Sequence, residues 1–161
     1  MSHRAFVALG SNLKDPQQQV LRALTELDGL PGTRVIAKSA LYRTAPVGYD
    51  NQPDFINAAA EVSTTLEPLA LLHALLALEI THGRERPFPN APRVLDLDLL
   101  LYDNLELNHP ELTLPHPRLH ERGFVLFPLA DIAPELHVPG KGKVGDLLLT
   151  LPDQGVERMA A

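Results

Sequence analysis

No cysteine occurs anywhere in the chain, which excludes thiol catalysis, cysteine-ligated zinc and iron–sulfur clusters, and fits a reducing compartment. No apolar run is long enough to cross a bilayer, because the longest, near residues 95–102, is interrupted by two aspartates. The apolar stretch near the N-terminus is shorter than the core of a signal peptide, so a cytoplasmic protein with no membrane partner is expected. Basic residues are in the minority: Lys and Arg number 14 against 20 Asp and Glu, for a net charge of −6. That balance argues against general nucleic-acid binding, whose affinity comes largely from neutralised phosphates. No Gly-x-x-x-x-Gly-Lys-Ser/Thr is present, so Gly10-Ser11-Asn12 reads as a strand-to-helix turn rather than a phosphate-binding loop. Repeats and low-complexity segments are also missing. The length fits one domain, residues 1–161, able to bury about two-thirds of its unfolded surface. A monomer is expected, since no large exposed apolar stripe stands out.

What the chain does contain is a pair of carboxylates inside an apolar strand. Residues 93–98 read Arg-Val-Leu-Asp-Leu-Asp, and the run continues as Leu99-Leu100-Leu101-Tyr102. Alternation along a strand puts Asp96 and Asp98 on one face, about 7 Å apart. Leu100 and Tyr102 are expected on that same face, and Leu95, Leu97, Leu99 and Leu101 on the other. A strand buried on both sides is expected to be central. Burying a carboxylate without a partner costs several kcal/mol, and two on one face repel, so a cation belongs there. A hard cation such as Mg²⁺ takes one or two carboxylates and completes its shell with water and phosphate oxygens. Pairing with nearby arginines is the plainer alternative.

The basic residues are unevenly spread. Arg84, Arg86, Arg93, Arg118 and Arg122 fall in the same stretch as the two aspartates. Arginine presents a planar fork of donors matched to phosphate oxygens, so this stretch suits a small polyanion. Pro115-His116-Pro117 holds a histidine between two rigid residues, where it can donate to a phosphate or act as a general acid. His116 and His120 stand four apart, but Pro117 between them argues against a helical zinc pair. His73 and His82, on the second helix, are expected to be exposed.

The local patterns run as a strand over Ala5–Leu9, a helix opening at Asp15-Pro16 and closing at Gly29, and a strand over Arg34–Arg43. A long loop from Thr44 to Asp54 leads to a strand over Phe55–Thr64. Thr64-Thr65-Leu66-Glu67 matches a capping box for a helix over Leu66–Thr81, which ends near Gly83. A proline-rich loop from Pro87 to Pro92 precedes the Asp-x-Asp strand. The order strand, helix, strand, strand, helix, strand predicts an α+β fold. Its form is a ferredoxin-like βαββαβ antiparallel sheet with helices packed on one face, plus a short C-terminal extension holding elements at Gly123–Leu129 and Val144–Leu149.

Several motifs then occur in one order: Tyr42-Arg-Thr-Ala-Pro, Gln52-Pro-Asp-Phe-Ile-Asn57, Glu79 before Gly83-Arg84-x-Arg86, Pro92-Arg-x-Leu-Asp-Leu-Asp98, and Pro115-His-Pro followed by Arg122-Gly-Phe124. Together they resemble the 6-hydroxymethyl-7,8-dihydropterin pyrophosphokinase family of folate biosynthesis, over most of the chain. The resemblance implies transfer of a diphosphate from ATP to the hydroxymethyl group of 6-hydroxymethyl-7,8-dihydropterin, with release of AMP. It implies two Mg²⁺ ions on Asp96 and Asp98, and phosphates gripped by Arg84, Arg86, Arg93, His116 and Arg122. Thr113 and Glu79 would stand near the nucleotide, and Arg84, Arg93, Asp96 and Asp98 form the expected catalytic set. Thr44 and Val47 would offer backbone groups to the pterin, Asn57 its amide, and Phe55 and Phe124 their ring faces. The chain departs from the family's pattern before Pro92-Arg93, where Phe88-Pro-Asn-Ala91 replaces an arginine-tryptophan pair. Two other readings of the same residues are a Mg²⁺-dependent nucleotidyltransferase and a noncatalytic ligand-sensing module.

Overall fold

The computed structural model describes residues 2–45, 52–83 and 94–159. Its first half runs β1 (His3–Ser11), α1 (Pro16–Asp28), β2 (Thr33–Lys38), β3 (Tyr42–Thr44), β4 (Phe55–Thr64), α2 (Pro68–Thr81) and β5 (Asp96–Tyr102). The hairpin β6 (Leu107–His109) and β7 (Leu112–Leu114) follows, then a 3₁₀ turn at Leu119–Glu121 and α3 (Gly123–Ile132). Last come β8 (His137–Val138), β9 (Gly142–Lys143), α4 (Val144–Leu149) and β10 (Glu157–Arg158). No described helix is long and apolar enough to cross a membrane. The main sheet is hydrogen-bonded in the order β10-β3-β4-β1-β5, with β2 also on β4, and all its pairings are antiparallel.

The single strand expected over Arg34–Arg43 is two strands. Ser39 makes the break without losing the ladder: its N–H donates to the Ala59 carbonyl and its hydroxyl accepts from the Ala59 N–H, both at 2.9 Å. The first strand, by contrast, runs past the expected Ala5–Leu9. Gly10 and Ser11 are ladder residues facing Asn57 and Ile56 on β4, so Gly10-Ser11 is strand rather than turn.

Helices cover both faces of the sheet, not the one face expected. On one side Val20, Ala23, Leu24 and Leu27 of α1 and Leu71 and Leu75 of α2 pack on Val7, Leu9, Ala60, Val62, Leu97 and Leu99. On the other, Val125, Leu126 and Leu129 of α3 and Val144 of α4 cover Phe6, Ala59, Leu100 and Leu101. The physical reason lies in the strands themselves. Alternate residues of β1, β4 and β5 are apolar on both faces, and each buried Leu or Phe side chain stabilises by about 1.5–3 kcal/mol only if both faces are covered.

Strand β5 lies at the end of the hydrogen-bonded order, not at its centre. Its outer edge is closed by a side chain and a loop. The Leu97 N–H donates to Glu79 Oε2 at 2.7 Å, and the Leu100 carbonyl accepts from the His116 N–H at 2.9 Å. The β1–β5 register shifts between Phe6, opposite Leu101, and Val7, opposite Leu99. Leu100 is the extra residue of this bulge, and the side-chain alternation reverses there. Leu101 therefore joins Phe6 in the α3 core and Tyr102 joins the α1–α2 core, each on the face opposite to the one expected. Asp96 and Asp98 precede the bulge and keep their common face.

Two helix starts differ from expectation. Asp15 stands before Pro16, but its left-handed backbone, φ 63°, makes no side-chain cap. Its carbonyl accepts from Gln19 N–H at 3.1 Å instead. The capping box at Thr64–Glu67 does not form, because Thr64 ends β4. Its hydroxyl is shared between the Thr33 hydroxyl at 2.8 Å and the Leu66 N–H at 3.1 Å, and α2 begins at Pro68.

Candidate functional site

The antiparallel register sets three residues in a row across adjacent strands, with Gly10 of β1 opposite both Asn57 of β4 and Asp96 of β5. One step along, Ala8 lies opposite Asp98. These positions share the sheet face that α3 covers farther along, so where α3 stops the small residues Ala8 and Gly10 leave a depression over the strands. A cavity of about 470 Å³ opens there. Asp96, Asp98, Asn57 and Phe55 form its floor, and Thr44 and Ala45 one wall. Arg118, Glu121, Arg122 and Phe124 come from the 3₁₀ turn and the start of α3, and Gln154 and Val156 from the C-terminal segment.

Space at Gly10 is part of the design. A Cβ there would stand 3.1 Å from Asn57 Oδ1 and 3.9 Å from the Phe55 ring. Asn57 is buried, and its Nδ2 donates to Thr44 Oγ1 at 2.9 Å. This bond fixes which way the amide faces and leaves its oxygen and second N–H for other partners. Phe55, two residues before Asn57 on the same face, and Phe124 on α3 line the cavity from different elements and make no ring contact with each other. Arg122 holds its guanidinium 5.5 Å from the centre of the Phe124 ring, a cation–π geometry that ties the orientations of the two side chains.

Asp96 and Asp98 share the cavity with the cations of Arg118 and Arg122. No group of three or more His, Cys, Asp or Glu that could hold a metal occurs among the described residues. His116 stands close enough to feel Asp96, Arg122 and Arg118. Burial first, then the Arg122 cation, lowers its pKa from 6.5 to about 4, against the opposing pull of Asp96, with Arg118 lowering it further. Its Nδ1 accepts from the Arg118 N–H at 3.3 Å, so the proton of the neutral ring sits on Nε2. His116 is thus a neutral donor over the working pH range.

Of the residues singled out from sequence, Thr44, Phe55, Asn57, Asp96, Asp98, Arg122 and Phe124 line one cavity, and His116 stands beside it. Glu79 is buried, 2 % exposed, under β5, and Thr113 is exposed on β7 opposite Asn108; neither lines the cavity. Val47, Arg84, Arg86, Arg93 and the loop from Pro87 to Pro92 lie outside the described residues. The sequence points to Arg118 only as one of the basic cluster, and not at all to Glu121, Gln154 and Val156. The stretch Pro152-Asp153-Gln154-Gly155 has no periodicity to mark it.

The family model for 7,8-dihydro-6-hydroxymethylpterin-pyrophosphokinase (HPPK) matches residues 6–134. A 2-amino-4-hydroxy-6-hydroxymethyldihydropteridine pyrophosphokinase of Pseudomonas aeruginosa is 45 % identical over 159 residues, covering 99 % of this chain and 98 % of that one. One from Methylorubrum extorquens is 42 % identical over 156 residues, covering 97 % and 98 %. Among solved structures, an HPPK-DHPS in complex with substrates shares the fold at a TM-score of 0.78 and 15 % identity. The likeness covers 99 % of this chain and 47 % of that one, so the chain spans about half of the two-part protein.

Proposed function

The chain belongs to the 7,8-dihydro-6-hydroxymethylpterin-pyrophosphokinase family, and from that premise we propose that the cavity over β1, β4 and β5 joins its two substrates. The protein is a pyrophosphokinase of folate biosynthesis, passing a diphosphate from ATP to 6-hydroxymethyl-7,8-dihydropterin. The observation that carries the site assignment is the row Asn57–Gly10–Asp96. An amide suited to a heteroaromatic edge and a carboxylate suited to a phosphate-bound cation stand on either side of a residue with no side chain.

In this reading the pterin ring lies between Phe55 and Phe124, with the Asn57 amide at its edge and backbone groups of Thr44 and Val47 beside it. The triphosphate lies toward Asp96, Asp98, Arg122 and His116. By the family resemblance Arg84, Arg86 and Arg93 would serve the same phosphates and Thr113 the nucleotide, and Glu79 would act there through its bond to the Leu97 N–H. The hydroxymethyl oxygen attacks the β-phosphorus in line, the bond from that phosphorus to the α–β bridging oxygen breaks, and AMP leaves. The oxygen's proton passes to solvent. Positioning and charge neutralisation carry most of the rate in such transfers.

The donor set fits Mg²⁺. Two carboxylates on one strand face, with no third protein ligand grouped beside them among the described residues, suit a hard cation that completes its shell with phosphate oxygens and water. Bound there, two such ions would offset the charge of the transferring phosphates. Arg122 and the Nε2–H of His116 supply fixed positive and donor character on the same side. Supporting the ferredoxin-like reading of the frame is the antiparallel order β5-β1-β4-β2. We read the chain as one domain, monomeric and cytoplasmic, with small molecules as its partners.

Replacing Asp98 tests the assignment. Asp98→Ala should lower turnover by several orders of magnitude while calorimetry still detects the pterin. Loss of both in equal measure would remove the Asp pair from the chemistry and place it in folding.

A further inference from the structure

The C-terminal segment is joined at both ends to walls of the cavity. Gln154 Oε1 accepts from the Gly123 N–H at 2.7 Å, and its Nε2 donates to the Glu121 carbonyl at 3.0 Å. One amide thus spans the turn Glu121-Arg122-Gly123 on which Arg122 and Phe124 are mounted. Gly123 has no room to spare against the segment, since a Cβ there would stand 3.1 Å from Gln154 Oε1 and 3.2 Å from Val156 Cγ2. The chain then turns at Gly155, φ +69°, its N–H held by Asp153 Oδ1 at 2.8 Å. It pairs as β10 with β3, Glu157 opposite Arg43 and Arg158 opposite Tyr42, and Met159 N–H donates to the Leu41 carbonyl at 2.9 Å. Strand β3 carries Thr44, the residue that fixes the Asn57 amide. The segment therefore bridges the wall bearing Phe124 and the wall bearing Thr44, and its own Gln154 and Val156 line the cavity between them.

We propose that Gln154 is a positioning residue for the pterin: by clasping the Arg122–Phe124 turn it sets the gap in which the flat ring is held. The proposal rests on the reading of this cavity as the pterin site. Residues 154–159 lie beyond 6–134, the part that the family model matches, so the family match assigns this segment nothing. The physics is that of preorganisation. A turn held by two hydrogen bonds loses little freedom when the ring enters, whereas a released turn must be ordered at the expense of affinity. Arg122 rides on the same turn, so loosening it weakens the nucleotide as well, but less than the pterin, because the carboxylates at the phosphate end lie on β5.

The side chain of Gln154 is exposed and belongs to neither core, so Gln154→Ala should leave the fold intact. A second variant, Gln154→Glu, keeps an acceptor for the Gly123 N–H but sets an oxygen against the Glu121 carbonyl, where a donor is required. The chain has no tryptophan, so binding of 6-hydroxymethylpterin can be followed by the ligand's own fluorescence, alongside calorimetry with a nonhydrolysable Mg-ATP analogue. Both variants should bind the pterin about tenfold more weakly, about 1.4 kcal/mol, with a clearly smaller loss, about two- to threefold, for the ATP analogue through Arg122, and an unfolding midpoint lowered only slightly because the two bonds are near solvent. Pterin affinity within about twofold of the parent in both variants would overturn the proposal. So would a parallel fall in both affinities together with the unfolding midpoint, since that marks a purely structural clasp. If the parent protein itself fails to bind the pterin, the site assignment fails, not the clasp.

Discussion

Glu79, buried on α2, accepts a hydrogen bond at 2.7 Å from the backbone N–H of Leu97, the residue between Asp96 and Asp98. A side chain on one element thereby completes the edge of another at the point where the two site carboxylates emerge. Glu79→Ala leaves a buried N–H without its acceptor, which costs about 1–3 kcal/mol. The expected outcome is a lower urea midpoint and a larger loss in kcat than in pterin affinity. Glu79→Gln, which retains an acceptor oxygen, should lose less of both.

Gly10 is the empty place in the row across the strands. Its Cβ would stand 3.1 Å from Asn57 Oδ1, close enough that the amide must shift by a few tenths of an ångström or leave its bond to Thr44. Gly10→Ala should weaken the pterin about tenfold, the loss expected for disturbing one oriented hydrogen-bonding group. Affinity for an ATP analogue should stay near that of the parent. Calorimetry with each ligand separately checks the split.

His116 is held neutral, its pKa lowered to about 4 by burial and by the Arg122 and Arg118 cations. Between the ordinary value of 6.5 and about 4, the unfolded chain takes up a proton that the folded protein refuses. Folding stability should therefore fall as the pH drops through that window and stop falling on this account below it. The pH–rate profile should show no inflection near 6.5 from this residue. An NMR titration of the His116 ring in the free protein should place its midpoint near 4, and a midpoint near 6.5 would contradict the assignment.

His82 is buried at the end of α2, with Nδ1 2.6 Å from Gln19 Oε1 and Nε2 2.5 Å from Glu26 Oε1, both on α1. The Gln19 amide is oriented by its own donation to the Lys14 carbonyl at 2.9 Å. His82→Ala removes both links between the helices and should destabilise the protein by about 2 kcal/mol, read as a lower unfolding midpoint. An unchanged midpoint would show that the links contribute nothing net.

His82 also marks where the sequence misled. The sequence points to an exposed His82, and nothing in the helix pattern corrects it: α2 is leucine-rich around most of its circumference, so its periodicity does not distinguish an inner face from an outer one. The Asp-x-Asp strand was legible in its carboxylates, since two charges in an apolar run have few physical explanations, but not in its position or its bulge. Leu100 is one more leucine in a run of them, and the shift that turns Leu101 and Tyr102 over depends on the partner strand. The cover on the second sheet face was missed because α3 and α4 are short and Pro128 lies inside α3. Within the site, alternation along two strands puts Phe55 with Asn57 and Asp96 with Asp98 on common faces, but only the family resemblance points to Phe55 as a site residue rather than core. Gln154 was not legible, because a clasp made by one amide on two backbone groups leaves no pattern in the chain.

The central claim is pyrophosphoryl transfer, tested most directly by incubating the protein with Mg-ATP, with and without 6-hydroxymethyl-7,8-dihydropterin, and separating the nucleotides by chromatography. AMP should form in step with the pterin diphosphate, only when the pterin is present, and without ADP or free pyrophosphate. ADP, pterin-dependent pyrophosphate release, or no turnover despite pterin binding would contradict the account.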